Sequence, residues 1–248
     1  KFDKNLTISG DKSLSIRWAL LASQSPYKSR SYNLLASEDV INTIECLKKL
    51  GVKIKFTKKF CEIFGVGLNG FKYKKSLSLN AGNSGTLGRL IMGLLVHCKD
   101  SIILRGDKSL SRRDFLRITK PLERFGAKFK TNSGKLPISI KGTNDPSPIS
   151  YNEKRGSAQC KSAVMLAALN TEGETIIKAK KSRDHSELLF KYLKLPIKIK
   201  KKKNYDLIRI KGKKIIPSIN YRIPADISSS AFFIVLTALS ENSKLKIN

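Results

Sequence analysis

The stretch SGDKSLSIR carries Lys12, Ser13 and Arg17 directly ahead of the apolar run WALLAS, so a lysine, a hydroxyl and a guanidinium stand at the mouth of an expected helix. A helix N-terminus presents unpaired N–H groups and the positive end of its dipole, which together favour anions. Lys12 adds a mobile point charge, and Arg17 a planar fork suited to a carboxylate or a phosphate. Similar residue types recur in GNSGTLGR, with Asn83, Gly85, Thr86 and Arg89, and in GSAQCKSA, with Ser157, Gln159 and Lys161. Gly85 would let a ligand approach the backbone closely. If the three openings aim at one place, they form one cradle for a polyanion. Taken singly, Ser13 reads equally well as a helix cap, and Arg17 and Arg89 as solvated helix charges. Recurrence at one structural position is what points to a shared site.

The positioning elements follow from internal repetition. Four segments open with a small polar cluster and continue as an apolar helix, from Gly10, Gly82, Gly156 and Ala225, about 70 residues apart. A second set, CLKKLGVKIKF from Cys46, PLERFGAKFKT from Pro121 and KYLKLPIKIKK from Lys191, closes an amphipathic helix and enters a strand. Val40, Ile44 and Leu47 sit at helical spacing, and Gly51 and Gly126 suit a left-handed helix end. In VKIKF, Val52, Ile54 and Phe56 face one way while Lys53 and Lys55 face solvent. Pro196 departs from the glycine, so the third turn must differ. Segments such as FCEIFGVG and KLPISIKG read as hairpins between units.

An α/β domain of three such units is therefore expected over residues 11–222, each unit burying a helix stripe and a sheet face on its neighbours. Residues 1–10 hold a lone apolar strand, and residues 223–248 begin a fourth copy whose second helix is not reached. These ends read as the start of an incomplete second domain. GDKSL returns at Gly106 in GDKSLSRRDFL, where it opens a second-set helix, and that match is taken as coincidental, with Arg112 and Arg113 still in reach of the site.

Composition narrows the function classes. At 248 residues and 40% apolar content the chain is long enough for a sizeable core. No apolar run approaches the roughly 20 residues of a membrane span. The chain starts at Lys1 rather than Met and shows no signal-peptide core, so a cytoplasmic protein, clipped or incomplete, is expected. Cys46, Cys61, Cys98 and Cys160 lack CxxC spacing, and His97 and His185 are the only histidines, so no metal site is expected and the thiols read as structural. The net charge of +30 is compatible with nucleic acid, with a general lysine bias, or with small anionic substrates. Nucleotide-binding glycine motifs are absent. The run RDHSE from Arg183 reads either as a polar helix start or as part of a site. KIKKKKNY from Lys198 lacks the interleaved aromatics of a single-strand-binding surface.

GDKSLSIR, GNSGTLGR, GDKSLSRRDF and SAQCKSAVMLAALNT, in that order along the whole chain, resemble the 3-phosphoshikimate 1-carboxyvinyltransferase family. GDKS, SEDVINT, SAQCKSA and SRDHSE are similar to the bacterial subgroup that includes glyphosate-insensitive members. The resemblance implies the enolpyruvyl transferase fold, with βαβαββ-type units arranged as two three-unit domains that close on the substrates. It implies transfer of the enolpyruvyl group of phosphoenolpyruvate to the 5-hydroxyl of shikimate 3-phosphate, with no cofactor, and a monomer at full length. Lys12, Ser13, Arg17, Ser157, Ala158, Gln159 and Arg183 would hold shikimate 3-phosphate. Lys12, Asn83, Gly85, Arg113 and Gln159 would hold phosphoenolpyruvate, with Lys12 also stabilising charge during the reaction.

There are departures from the family pattern. Ala158 stands where many relatives have serine, Asp114 replaces the proline that usually follows Arg113, and Gly85 is the ordinary glycine where an insensitive member has alanine. The family's acid/base carboxylates lie in its other domain and have no match in this chain, so the isolated chain is expected to be inactive. Two alternatives remain. The related UDP-N-acetylglucosamine enolpyruvyl transferase opens with Lys-Asn, unlike Lys12-Ser13, and usually carries a reactive loop cysteine, whereas no cysteine lies between Cys98 and Cys160 here. A basic nucleic-acid-binding module would require a continuous basic groove.

Overall fold

Apolar–lysine alternation and glycine-ended helices translate into three copies of one unit in the computed structural model, which describes residues 1–248. After β1 (Asp3–Leu6), the first unit runs α1 (Lys12–Ser23), β2 (Lys28–Tyr32), α2 (Glu38–Lys49), β3 (Lys53–Phe56) and β4 (Phe60–Phe64). The second runs β5 (Leu77–Asn80), α3 (Gly85–Leu95), β6 (Ile102–Arg105), the single turn α4 (Lys108–Ser111), α5 (Leu116–Glu123), β7 (Lys128–Asn132) and β8 (Lys135–Lys141). The third runs β9 (Ser150–Glu153), α6 (Ala158–Leu169), β10 (Glu174–Lys180), α7 (His185–Tyr192), β11 (Ile197–Lys201) and β12 (Tyr205–Lys211). The chain finishes with β13 (Tyr221–Arg222), α8 (Ile227–Ala238) and β14 (Lys244–Ile247).

Each unit builds one four-stranded sheet, in the orders β13-β2-β4-β3, β5-β6-β8-β7 and β9-β10-β12-β11. The first two strands of each order are parallel and the remaining pairings antiparallel. The first unit has no leading strand of its own. β13 supplies it from beyond the third unit, with Tyr221 opposite Ser31 and Arg222 opposite Tyr32. That pairing closes the three units on themselves and completes the βαβαββ pattern in all three.

The helices divide by burial. α1, α3 and α6 are buried on nearly every side, with Trp18, Leu90 and Met165 fully enclosed, because they fill the centre between the sheets. α2, α5 and α7 show one buried stripe, including Val40, Ile44 and Leu47 in α2, and cover the outside. α3 and α6 approach so closely that a Cβ on Gly93 would collide with the Ala163 carbonyl oxygen. Gly51 and Gly126 take φ of 88° and 105° at the second-set helix ends. Where Pro196 breaks the glycine pattern, Lys194 takes the left-handed position instead, at φ 51°.

The chain ends meet. β1 and β14 pair in parallel, with Asp3 opposite Lys244, and Gly10 bridges to Ala225. α8 packs on β14 but leaves Phe232, Val235, Leu236 and Leu239 exposed. All four cysteines are free and buried, and burial raises Cys46 and Cys98 to about 11. No helix is long and apolar enough to cross a membrane.

Candidate functional site

The three central helices are capped alike and open side by side. Asp11 Oδ1 accepts from Leu14 N at 2.7 Å, Ser84 Oγ from Leu87 N at 3.2 Å, and Ser157 Oγ from Cys160 N at 3.3 Å. Asp11 therefore caps α1, and the Ser13 hydroxyl is left to face outward. The second GDKSL is a repeat of local structure: Asp107 caps α4 by accepting from Leu110 N at 2.7 Å, as Asp11 does in α1. Aspartate with an N–H three residues on is the shared cause.

A cavity of about 230 Å³ lies at these openings, lined by Ser13, Arg17, Thr86, Ser157, Ala158, Gln159, Arg183 and His185. It gathers six of the seven residues expected to hold shikimate 3-phosphate. Lys12 is the exception: it stands at the rim, half-exposed, with Nζ 3.1 Å from Asp39 Oδ2. The cavity contains no carboxylate, and two guanidiniums border it, so its field favours an anion.

Neither Arg17 nor Arg89 is a solvated helix charge; their exposures are 6% and 5%. Burial pulls Arg17 down to about 10, opposed by the nearby Glu187 and Asp11 carboxylates, so it stays charged at neutral pH. Arg17 Nε donates to Ser186 Oγ at 2.8 Å and Nη1 to the Ser13 carbonyl at 3.0 Å. His185 is held below its ordinary value by burial and then by Arg17.

A second cluster adjoins the cavity through Gln159. Arg89 Nη1 donates to Gln159 Oε1 at 2.6 Å, and Gln159 Nε2 donates to Thr86 Oγ1 at 3.1 Å, which orients the amide. A Cβ on Gly85 would lie 2.9 Å from Arg89 Nη1 and 3.0 Å from Arg113 Nη1. Arg113 Nη2 donates to Asn83 Oδ1 at 3.3 Å, and Asn83 Nδ2 to Asp107 Oδ2 at 2.6 Å. Burial and the neighbouring Arg117 and Arg113 together lower Arg89 to about 10. Like charges held this close create a demand for an anion beside them. Asp114, in the place of the usual proline, accepts from Leu116 N at 2.8 Å and so helps to start α5.

One expectation is corrected. Lys161 does not face the cradle; it is fully buried, with Nζ 2.5 Å from Glu187 Oε1 across the α6–α7 contact. Its position on α6 points inward, and an unpaired ammonium there would be costly. Ser162 and Ser186, which hold the Arg17 side chain, do not stand out by spacing. Ser186 and Glu187 lie in the RDHSE run, whose charge cluster is the available signal, and here it is both a helix start and a wall of the site.

The family model for EPSP synthase (3-phosphoshikimate 1-carboxyvinyltransferase) matches residues 1–248. The chain is 40% identical to the 3-phosphoshikimate 1-carboxyvinyltransferase of Vesicomyosocius okutanii, over 98% of this chain and 55% of that protein. It is 38% identical to the enzyme of that name from Bradyrhizobium diazoefficiens, over 97% of this chain and 52% of that one. The solved EPSP synthase of Acinetobacter baumannii superposes with a TM-score of 0.89 at 35% identity, over 98% of this chain and 55% of that one. The chain thus spans about half the length of the curated relatives it matches.

Proposed function

The chain belongs to the EPSP synthase (3-phosphoshikimate 1-carboxyvinyltransferase) family, and on that premise we propose that it supplies the cation-lined half of a site transferring enolpyruvate from phosphoenolpyruvate to shikimate 3-phosphate. The observation that carries this reading is the carboxylate-free cavity bordered by Arg17 and Arg183 and lined by the Ser13 and Ser157 hydroxyls. Shikimate 3-phosphate would sit there. The Ser157 oxygen already accepts from Cys160 N, so its O–H remains to donate to a ligand oxygen. Phosphoenolpyruvate would sit beside it, against Arg113, Asn83 and Gln159, at the closest approach that Gly85 permits.

In this reaction the 5-hydroxyl gives up its proton to a base as its oxygen bonds to the central carbon of phosphoenolpyruvate, and the methylene carbon takes a proton from an acid. The tetrahedral adduct then loses phosphate and a methyl proton. Both substrates are anionic throughout, so preorganised cations are the main contribution of these residues. Lys12, on its long stem at the rim, would swing from Asp39 to the substrates. The family's acid/base carboxylates would come from outside this cavity, whose lining has none. The paired chain ends and the exposed apolar residues of α8 support their assignment to a second domain that closes over the site. Cytoplasmic residence and a monomeric state belong to the same proposal.

Calorimetric titration of the full-length protein with shikimate 3-phosphate tests it. Lys12→Ala and Arg17→Ala are each expected to weaken binding at least tenfold, in the range of a lost charged hydrogen bond. Unchanged affinity in both variants would remove the assignment.

A further inference from the structure

We propose that Ser186, at the opening of α7, is a positioning residue that aims the Arg17 guanidinium into the cavity through a one-directional hydroxyl relay. The proposal takes the cavity's occupant from the reading above and adds what sets its affinity. Ser186 Oγ lies 2.8 Å from Arg17 Nε and 2.6 Å from Ser162 Oγ, and Ser162 Oγ lies 2.7 Å from the Ala158 carbonyl oxygen. A hydroxyl has one proton to give, and a carbonyl can only accept. Ser162 therefore spends its proton on Ala158, Ser186 spends its own on Ser162, and the Ser186 lone pair is left for Arg17 Nε–H. Every donor in the chain is determined by the next acceptor.

The relay uses the edge of Arg17 that faces the protein. Nε is bound to Ser186, one Nη1 proton to the Ser13 carbonyl, and one Nη2 proton lies toward Ser162 Oγ, with Nη2 at 3.5 Å. Of the five N–H donors of a guanidinium, two remain for a ligand. Ser162 and Ser186 are 1% and 4% exposed, so water does not compete for these contacts. The buried Lys161–Glu187 pair clamps α7 to α6 at the neighbouring positions and keeps the two hydroxyls in register. The first unit's arginine is thus aimed by side chains of the third unit.

A double-substitution cycle on the full-length protein, read as shikimate 3-phosphate affinity by calorimetry, tests the relay. Ser186→Ala is expected to weaken binding roughly tenfold, the scale of one hydrogen bond to a charged group. Arg17→Lys keeps a charge and measurable binding but removes Nε, so Ser186→Ala in that background is expected to change affinity less than about twofold. Ser162→Ala is a second way to break the relay: it is expected to weaken binding with Arg17 in place and to change affinity less than about twofold in the Arg17→Lys background. No loss from either serine substitution, or the same loss in the Arg17→Lys background, would overturn the relay, since a purely structural role would act regardless of the side chain at that position. Arg17→Ala with unchanged affinity would instead overturn the reading of the cavity itself.

Discussion

Arg89 and Gln159, 70 positions apart, meet at 2.6 Å and tie the mouth of α3 to that of α6. Because the same amide also donates to Thr86, Gln159 has one orientation and offers Arg89 a fixed acceptor. Gln159→Ala is expected to release Arg89 and raise KM for both proposed substrates roughly tenfold. Steady-state kinetics of the full-length enzyme measures this, and unchanged KM values would mean that the tie is dispensable.

Gly85 is a steric decision. An added methyl would stand 2.9 Å from Arg89 and 3.0 Å from Arg113, both flexible side-chain ends that must withdraw. Gly85→Ala is expected to raise KM for phosphoenolpyruvate by roughly tenfold or more, since misplaced positioning groups lose rate steeply. KM for shikimate 3-phosphate should stay within about twofold. An equal effect on both would indicate a general disturbance of α3.

The Lys161–Glu187 pair also carries stability. Replacing one partner, as in Lys161→Met, strands a buried charge and is expected to cost about 3–5 kcal/mol. Lys161→Met combined with Glu187→Leu should recover most of that loss, because an apolar pair removes the desolvation penalty as well as the attraction. Denaturant titrations of the two variants distinguish these outcomes.

His97 makes folding sensitive to acid. Burial lowers it from 6.5 to about 4, with the Ala167 carbonyl opposing and Lys213 assisting that shift. Between those values the unfolded chain carries a proton that the folded chain refuses, so stability falls as pH falls. The loss reaches up to about 3 kcal/mol by pH 4 and is absent above about pH 7. His97→Gln should flatten this part of the stability profile, measured by thermal melts from about pH 7 to about pH 4. An unaltered slope would mean that other groups account for it.

Much of the fold was legible because it is local. The Val40, Ile44 and Leu47 stripe, the inward Val52 and Ile54, and the left-handed Gly51 and Gly126 each follow from residues within a few positions. The β13–β2 pairing was not legible, since a strand of two residues carries no periodicity and its partner lies about 190 residues away. The recurrence of the helix mouths was visible, but the ties between them run through Ser162 and Ser186, which look like ordinary helix-surface serines in the sequence.

The amino-acid order alone determined three repeated units and the concentration of cations and hydroxyls at three helix openings. Only the tertiary structure decided which cations face the cavity. Counted from their caps, Ser15, Gly88 and Lys161 hold the same fourth place on α1, α3 and α6, and all three are buried. Two units fill that inward place with a small residue, and the third fills it with a lysine that survives only because Glu187 arrives from α7. Residue type marked Lys161 as part of the cradle. Helical phase within the packed bundle turned it into the core and left Arg17, aimed by a neighbouring unit, at the cavity.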